Sequence, residues 1–171
     1  MRIERITYAA ILSGALAWCA LILLAPFAAS VPRLATLGAF IYAFFSPLCH
    51  QIDARSFHLF GEPLAVCGRC SAIYFGFFSG TVAYLCAGKA FRLWEPGRIF
   101  LAAAVAPMLA DVLLEATGVY VSSNEIRAVT GAWFGVLLPL VIVPGAVEGM
   151  RQIFEHHNPH SIPPEKGLID A

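Results

Sequence analysis

Four long stretches of this chain carry no charged side chain: residues 6–32, 70–88, 99–110 and 128–147. A helix needs about 20 apolar residues to cross the hydrocarbon core of a bilayer, and backbone groups in lipid must pair within their own segment. Only 13% of the residues are charged, against about 25% in a typical soluble domain. The sequence therefore predicts an all-α, polytopic transmembrane helix bundle. The hydrophobic content of 59% excludes a disordered chain. The balance of eleven basic and eleven acidic residues excludes a nucleic-acid binder with a basic face.

The apolar runs predict about four membrane spans and one shorter helix. The spans are predicted over residues 7–29, 64–88, 99–118 and 128–147, with kinks at Pro107, Pro139 and Pro144. The first is too long for the apolar region of a signal peptide, so we expect an uncleaved anchor helix. Residues 34–48 are short for a span, which favours an interfacial or re-entrant helix, although a fifth crossing stays open.

The distribution of lysine and arginine predicts the orientation of the chain. With four spans, one side carries seven of them: Arg2, Arg5, Lys89, Arg92, Arg98, Arg151 and Lys166. The other side carries four: Arg33, Arg55, Arg69 and Arg127. Because basic loops favour the cytoplasm, we expect a multi-pass protein of the cell inner (plasma) membrane with both termini cytoplasmic.

The last 21 residues differ in character from the rest. We predict a transmembrane domain over residues 1–150 and a polar, disordered tail over 151–171, which contains three prolines. His156, His157 and His160 allow a metal-binding interpretation, but a solvated tail is the simpler one.

The segment from Pro47 to Gly80 concentrates unusual residue types. It contains Cys49-His50-Gln51, then Arg55, then Cys67-Gly68-Arg69-Cys70. Helix N-terminal N–H groups and Arg69 would both favour thiolates at the Cys-x-x-Cys. Three thiolates and one imidazole complete a tetrahedral zinc-like site, so Cys49, His50, Cys67 and Cys70 are the candidate metal ligands. The expected cofactor is Zn²⁺ or another thiophilic ion.

Two other interpretations of these cysteines stay open. A disulfide could join Cys49 to Cys67 or Cys70, and an outward-facing site in an oxidising compartment would favour it. The thiols could also be inert, acting as small apolar groups. Cys19 and Cys86 lie within predicted spans and are expected to be packing residues.

A second polar cluster interrupts the third and fourth spans. Asp111 and Glu115 are four residues apart and share one helix face, and carboxylates inside a span are functional candidates by default. Ser122 or Ser123 is expected to cap the following helix. Asn124 and Arg127 would then face the same mouth, where Arg127 could pair with either carboxylate or hold an anion.

All of these polar residues fall at one end of a four-span bundle, which predicts a single site there. The candidates with a catalytic role are Asp111, Glu115 and Arg127, and the other polar site residues are Arg55, Arg69, Ser123 and Asn124. Small residues recur every four positions at Ala72, Gly76 and Gly80, and again at Gly131 and Gly135. They predict close helix approach and leave open a homo-oligomer or a membrane partner.

The pattern resembles a family of small prokaryotic membrane proteins called domain of unknown function 2085. The resemblance is carried by Cys49-His50-Gln51, Arg55-Ser56-Phe57 and Cys67-x-Arg69-Cys70, then by Asp111, Ser123-Asn124, Arg127, Thr130-Gly131 and Gly135. It covers roughly residues 45–135 and implies a multi-span membrane protein without implying a reaction. Val112 departs from the pattern, which has glycine after the aspartate.

Three functions follow from these residues. The first is a membrane-embedded metal site backed by the intramembrane carboxylates. The second is a thiol–disulfide oxidoreductase that works with a lipid quinone, which rests on analogy alone. The third is a non-enzymatic transporter or assembly component whose charges line a path or bind a partner. A phosphate-binding glycine loop, an HExxH helix and a GxSxG elbow are all absent from the sequence.

Overall fold

A computed structural model describes residues 2–86 and 97–157 as an all-α bundle. The six α-helices are α1 (Arg2–Ser30), α2 (Ala35–Phe45), α3 (Gly68–Cys86), α4 (Arg98–Ala116), α5 (Asn124–Leu137) and α6 (Pro139–His157). Two-residue strands, β1 (His58–Leu59) and β2 (Glu62–Pro63), form an antiparallel hairpin that pairs Leu59 with Glu62. Short 3₁₀ turns lie at Pro32–Leu34 and Asp53–Arg55. The predicted all-α fold class is confirmed.

The long helices alternate in direction. α1 and α3 are antiparallel, because Tyr8 contacts Tyr84 at 6.0 Å between ring centroids and Trp18 contacts Tyr74 at 5.7 Å. α4 is antiparallel to α5, since the Trp133 indole donates to the Ala103 carbonyl at 3.2 Å. This alternation is the order expected of four passes.

Three helical stretches are long and apolar enough to cross a membrane: Ile3–Ser30, Arg98–Ala116 and Asn124–Phe154. α3, where we predicted the second span, is not among the three. Its buried face is made mostly of glycine and hydroxyl residues, with Tyr84 as the one large side chain, and it packs against α1 and α5. The helix begins at Gly68 and not at residue 64. Leu64 donates its N–H to the Phe57 carbonyl instead, as part of the irregular segment after the hairpin.

Helix α2 doubles back along α1. Gly38 lies against the backbone of Ala29, where an added Cβ would come within 2.8 Å of the Ala29 nitrogen. Seven residues later, Phe45 packs edge-on against Trp18 at 5.2 Å between ring centroids. Eleven residues rise only about 16 Å, about half of the hydrocarbon thickness. The helix is therefore too short to cross the hydrocarbon core by itself, and it leads the chain back along α1 to Cys49.

The glycine positions of α3 and α5 face each other. A Cβ at Gly76 would meet the Ala132 carbonyl oxygen at 2.9 Å, and one at Gly131 would meet the Arg69 carbonyl oxygen at 2.6 Å. Gly135 lies in the same way against Ile73, so the two helices run parallel. The small-residue faces for which we left open a role in oligomerisation are therefore already paired within one chain.

The fourth predicted span is divided. It begins at Asn124 and not at residue 128. α5 ends at Leu137, two residues before Pro139, because proline removes a helix hydrogen bond and clashes with the preceding turn. α6 continues to His157, so residues 151–157 of the predicted tail are helical. Residues 158–171, with His160 and Lys166, lie outside the described residues, as do Lys89 and Arg92.

Candidate functional site

Three cysteine side chains meet where α2, the hairpin segment and α3 come together. Cys49 follows α2, Cys67 directly precedes α3, and Cys70 lies in its first turn. Their sulfur atoms all lie within 4.8 Å of one another. Each is a free thiol in this structure. A tetrahedral zinc ion with bonds of about 2.3 Å holds its sulfur ligands about 3.8 Å apart. The three sulfur atoms would therefore need to approach one another only slightly to bind such an ion.

Gln51 fixes the segment that carries Cys49. Its side-chain amide donates to the Tyr42 carbonyl at 2.8 Å and to the Ala65 carbonyl at 2.9 Å, which ties α2 to the irregular segment that leads into Cys67. The residue itself has a φ of 49°, a left-handed conformation that non-glycine residues adopt only when the surroundings hold them there. The sequence predicted no site role for Gln51, although it belongs to the Cys-His-Gln motif.

Backbone and thiol donors surround the sulfur atoms. The Cys67 N–H donates to the Cys49 sulfur at 3.2 Å. The hydrogen bond from the Cys70 thiol holds the pKa of Cys67 well below its usual value and raises the pKa of Cys70, so the pair favours one thiolate, at Cys67. Donors directed at sulfur favour thiolates, the form that binds metals.

A pocket of about 290 Å³ opens beside the thiols, and His50, Arg55 and Arg69 are part of its lining. His50 is exposed, and it is not in the three-thiol group. In this structure the His50 side chain lies outside the group of three sulfur atoms. Its role as a fourth ligand stays a prediction.

Asp111 is 4% exposed and is fully engaged. It accepts hydrogen bonds from Arg69, from the Tyr120 hydroxyl and, at 2.8 Å, from the Ser122 hydroxyl. The bond to Asp111 raises the pKa of Tyr120 above its ordinary value. Val112, which departs from the family pattern, is 37% exposed and does not take part in these contacts.

Glu115 lies one helical turn after Asp111 and forms ion pairs with three arginines. Arg127 binds it at 2.5 Å, Arg55 at 3.2 Å and Arg69 at 3.4 Å. The Asn124 amide donates to the Ala54 carbonyl at 3.3 Å and accepts from Arg127 at 3.2 Å. These contacts connect α3, α4, α5 and the 3₁₀ turn of Arg55 in one network.

Arg69 joins the thiols to the carboxylates. It stands between Cys67 and Cys70 in sequence, and one of its terminal nitrogens binds both Asp111 and Glu115. Its Nε is buried and has no hydrogen-bond partner in the described part of the chain. In this network three guanidinium groups face two carboxylates, which leaves one positive charge.

The structure thus brings together most of the residues that the sequence singled out. Ser123 is different: it is exposed and caps α5, accepting from the Ile126 N–H at 3.4 Å. Tyr120 was missed, since its only sequence signal was its place in a short loop after Asp111, and Ser122 was considered only as a helix cap, whereas it donates to Asp111. Cys19 is buried and donates to the Tyr74 carbonyl at 3.5 Å, as expected of a packing residue, whereas Cys86 is exposed.

Ser122 and Ser123 offer a matched test of this assignment. We expect Ser122→Ala to destabilise the protein by about 1.5–3 kcal/mol, because it removes a hydrogen bond to a buried charged group. Ser123→Ala should cost less, about 0.5–1 kcal/mol, as for an exposed cap. Thermal unfolding in detergent micelles measures both, and equal losses would contradict the role given to Ser122.

The apolar helices, the buried charges and the thiol cluster define the class: this is a polytopic helical membrane protein with one polar site at one end of its bundle. The chain matches the model of the predicted membrane proteins DUF2085 over residues 49–141. It is similar to the uncharacterized protein MJ1492 of Methanocaldococcus jannaschii, with 35% identity over 127 residues, covering 72% of this chain and 81% of the relative. The chain belongs to the DUF2085 family. No solved structure matches it.

Proposed function

We propose that this protein is an integral membrane metalloprotein in which Cys49, Cys67 and Cys70 bind one Zn²⁺ or another thiophilic ion. The observation that carries the proposal is the mutual approach of three sulfur atoms within 4.8 Å from two segments of the chain. Thiolate ligands select zinc and similar soft ions.

The surroundings of the thiols support a charged centre. The N–H donor to Cys49 stabilises a thiolate. A divalent ion with three thiolates carries one negative charge, and the neighbouring network of arginines and carboxylates carries one positive charge. Arg69 connects the two, so Asp111 and Glu115 act on the centre through it and not as ligands.

The occupant of the fourth coordination position distinguishes a structural from a reactive metal site. Sites with three protein ligands and one open position are typical of reactive zinc, whereas four protein ligands are typical of structural zinc. His50 lies outside the thiol group and is exposed. We therefore propose that the fourth position opens to the pocket and that His50→Ala retains the metal.

Elemental analysis of detergent-purified protein tests the proposal directly. We expect about one equivalent of metal per chain, lost to background in Cys49→Ser, Cys67→Ser or Cys70→Ser, because each removes one of three ligands. Cys86→Ser is the matched control and should keep the metal, since Cys86 lies outside the cluster. Less than about half an equivalent in the wild-type protein would reject a metal centre.

A thiol count on the same samples separates the alternatives. The short distances among the three thiols also permit a disulfide. A thiol–disulfide oxidoreductase that passes electrons to a lipid quinone would need such a bond. In that case the protein contains no metal, and two of its five cysteines react with alkylating reagent only after reduction. Five reactive thiols without metal would instead identify inert packing residues.

A further inference from the structure

We infer that the pocket beside the thiols binds a small oxyanion of the phosphate class, held by Arg55 and by the terminal nitrogen of Arg69 that neither of its described ion pairs uses. This goes beyond the metal centre, since it assigns a ligand class to residues that are not metal ligands. Its basis is the pocket and the arginine geometry.

The first observation is an unused donor. Arg69 lines the pocket, and its side chain is 19% exposed. Both described ion pairs of Arg69 use one terminal nitrogen. The other terminal nitrogen has no partner among the described residues and, unlike Nε, is not a buried atom, so it can donate to a ligand in the pocket. The planar guanidinium suits oxyanions because it presents several N–H donors in a fixed arrangement.

The second observation is the accessibility of Arg55. Its side chain is 48% exposed and lines the same pocket, and within residues 2–86 and 97–157 it has one ion pair, to Glu115 at 3.2 Å. A guanidinium carries five N–H donors, so Arg55 can keep that pair and still donate to a ligand.

The third observation is the charge of the surroundings. Among the described residues, the acidic partners of Arg55, Arg69 and Arg127 are Asp111 and Glu115. The resulting positive charge offsets the single negative charge of a metal with three thiolates. An anion therefore enters neutral surroundings, or positive ones if the thiols are protonated, and meets directed donors. A volume of about 290 Å³ accommodates a phosphate with a small substituent.

Calorimetric titration of the full-length protein with inorganic phosphate tests the inference, with metal content measured on each sample. We expect the wild-type protein to bind phosphate, and Arg55→Gln to weaken binding at least about tenfold. Arg33→Gln is the matched control, because Arg33 is an exposed residue that does not line the pocket. Its affinity should be unchanged.

A second variant guards against a folding artefact. Arg69→Lys keeps a cation near Asp111 but removes the planar guanidinium donors, so it should also weaken phosphate binding, and circular dichroism checks that this variant is folded. Absence of phosphate binding by the wild-type protein, or equal binding by the wild-type, Arg55→Gln and Arg69→Lys proteins, overturns the inference. Phosphate binding by a metal-free wild-type protein would contradict the metal centre and leave the anion site standing.

The phosphate could be free or belong to a lipid headgroup. Nanodiscs of phosphatidylcholine with and without phosphatidic acid distinguish the two sources. If a headgroup occupies the pocket, phosphatidic acid competes and lowers the apparent affinity for inorganic phosphate. Equal affinities in the two nanodiscs assign the site to a soluble oxyanion.

Discussion

Asp111→Ala is expected to destabilise the folded bundle by about 3–5 kcal/mol, because it leaves the Arg69 guanidinium without its buried partner. The same substitution removes the acceptor for Tyr120 and Ser122. Both hydroxyls then lose a charged partner, which adds to the loss. Chemical unfolding in mixed detergent micelles, followed by circular dichroism, measures the change.

An exposed ion pair serves as the control for Asp111→Ala. Asp53 pairs with His58 at 2.9 Å, but its side chain is 76% exposed, and exposed pairs contribute little to stability. Asp53→Ala should therefore leave the unfolding midpoint nearly unchanged. A loss as small for Asp111→Ala would show that Asp111 is not the buried anchor of Arg69.

Gly131→Leu is expected to separate α3 from α5 and to abolish metal binding. A Cβ at Gly131 would lie 2.6 Å from the Arg69 carbonyl oxygen, closer than packed atoms allow. The obstacle is helix backbone, which cannot move aside as a flexible side chain would. We expect a loss of at least about 3 kcal/mol. Because Arg69 lies between Cys67 and Cys70, its displacement should also reduce metal content in the elemental analysis.

Gly145→Leu is the matched control for helix glycines. A Cβ at Gly145 in α6 has no atom within 4 Å, and leucine favours helix more than glycine does. Stability should be unchanged or slightly increased, with metal retained. Equal tolerance of leucine at Gly131 would contradict the close packing of α3 on α5.

The small-residue spacing of α3 and α5 is the part of the tertiary structure that the sequence predicted best. Residues four apart lie on one helix face, so Gly76 with Gly80 and Gly131 with Gly135 had to form small patches. The pattern did not reveal that the two patches face each other. Each patch could equally have met another chain.

The candidate site was predicted as a set of residues, and of the contacts in its charged network only the pairing of Arg127 with one of the carboxylates was predicted. Asp111 and Glu115 share a helix face by spacing alone, yet their partners, Arg69 and Arg127, lie on other helices. Tyr120 was overlooked because a lone tyrosine in a short loop has no periodic pattern to mark it. His50 adjoins Cys49 in sequence and was therefore grouped with it, although neighbouring residues in an irregular segment need not point the same way.

The sequence by itself determined the helices, their membrane character and the kinds of ligand available, because apolar runs, proline positions and residue types act locally along the chain. Only the tertiary structure decided that Cys49 meets Cys67 and Cys70, that Arg69 joins the thiols to the carboxylates, and that α2 turns back beside α1. These contacts join residues far apart in sequence. They depend on how closely the helices approach and on where the irregular segment between α2 and α3 leads the chain, and neither leaves a periodic signal in the residues themselves.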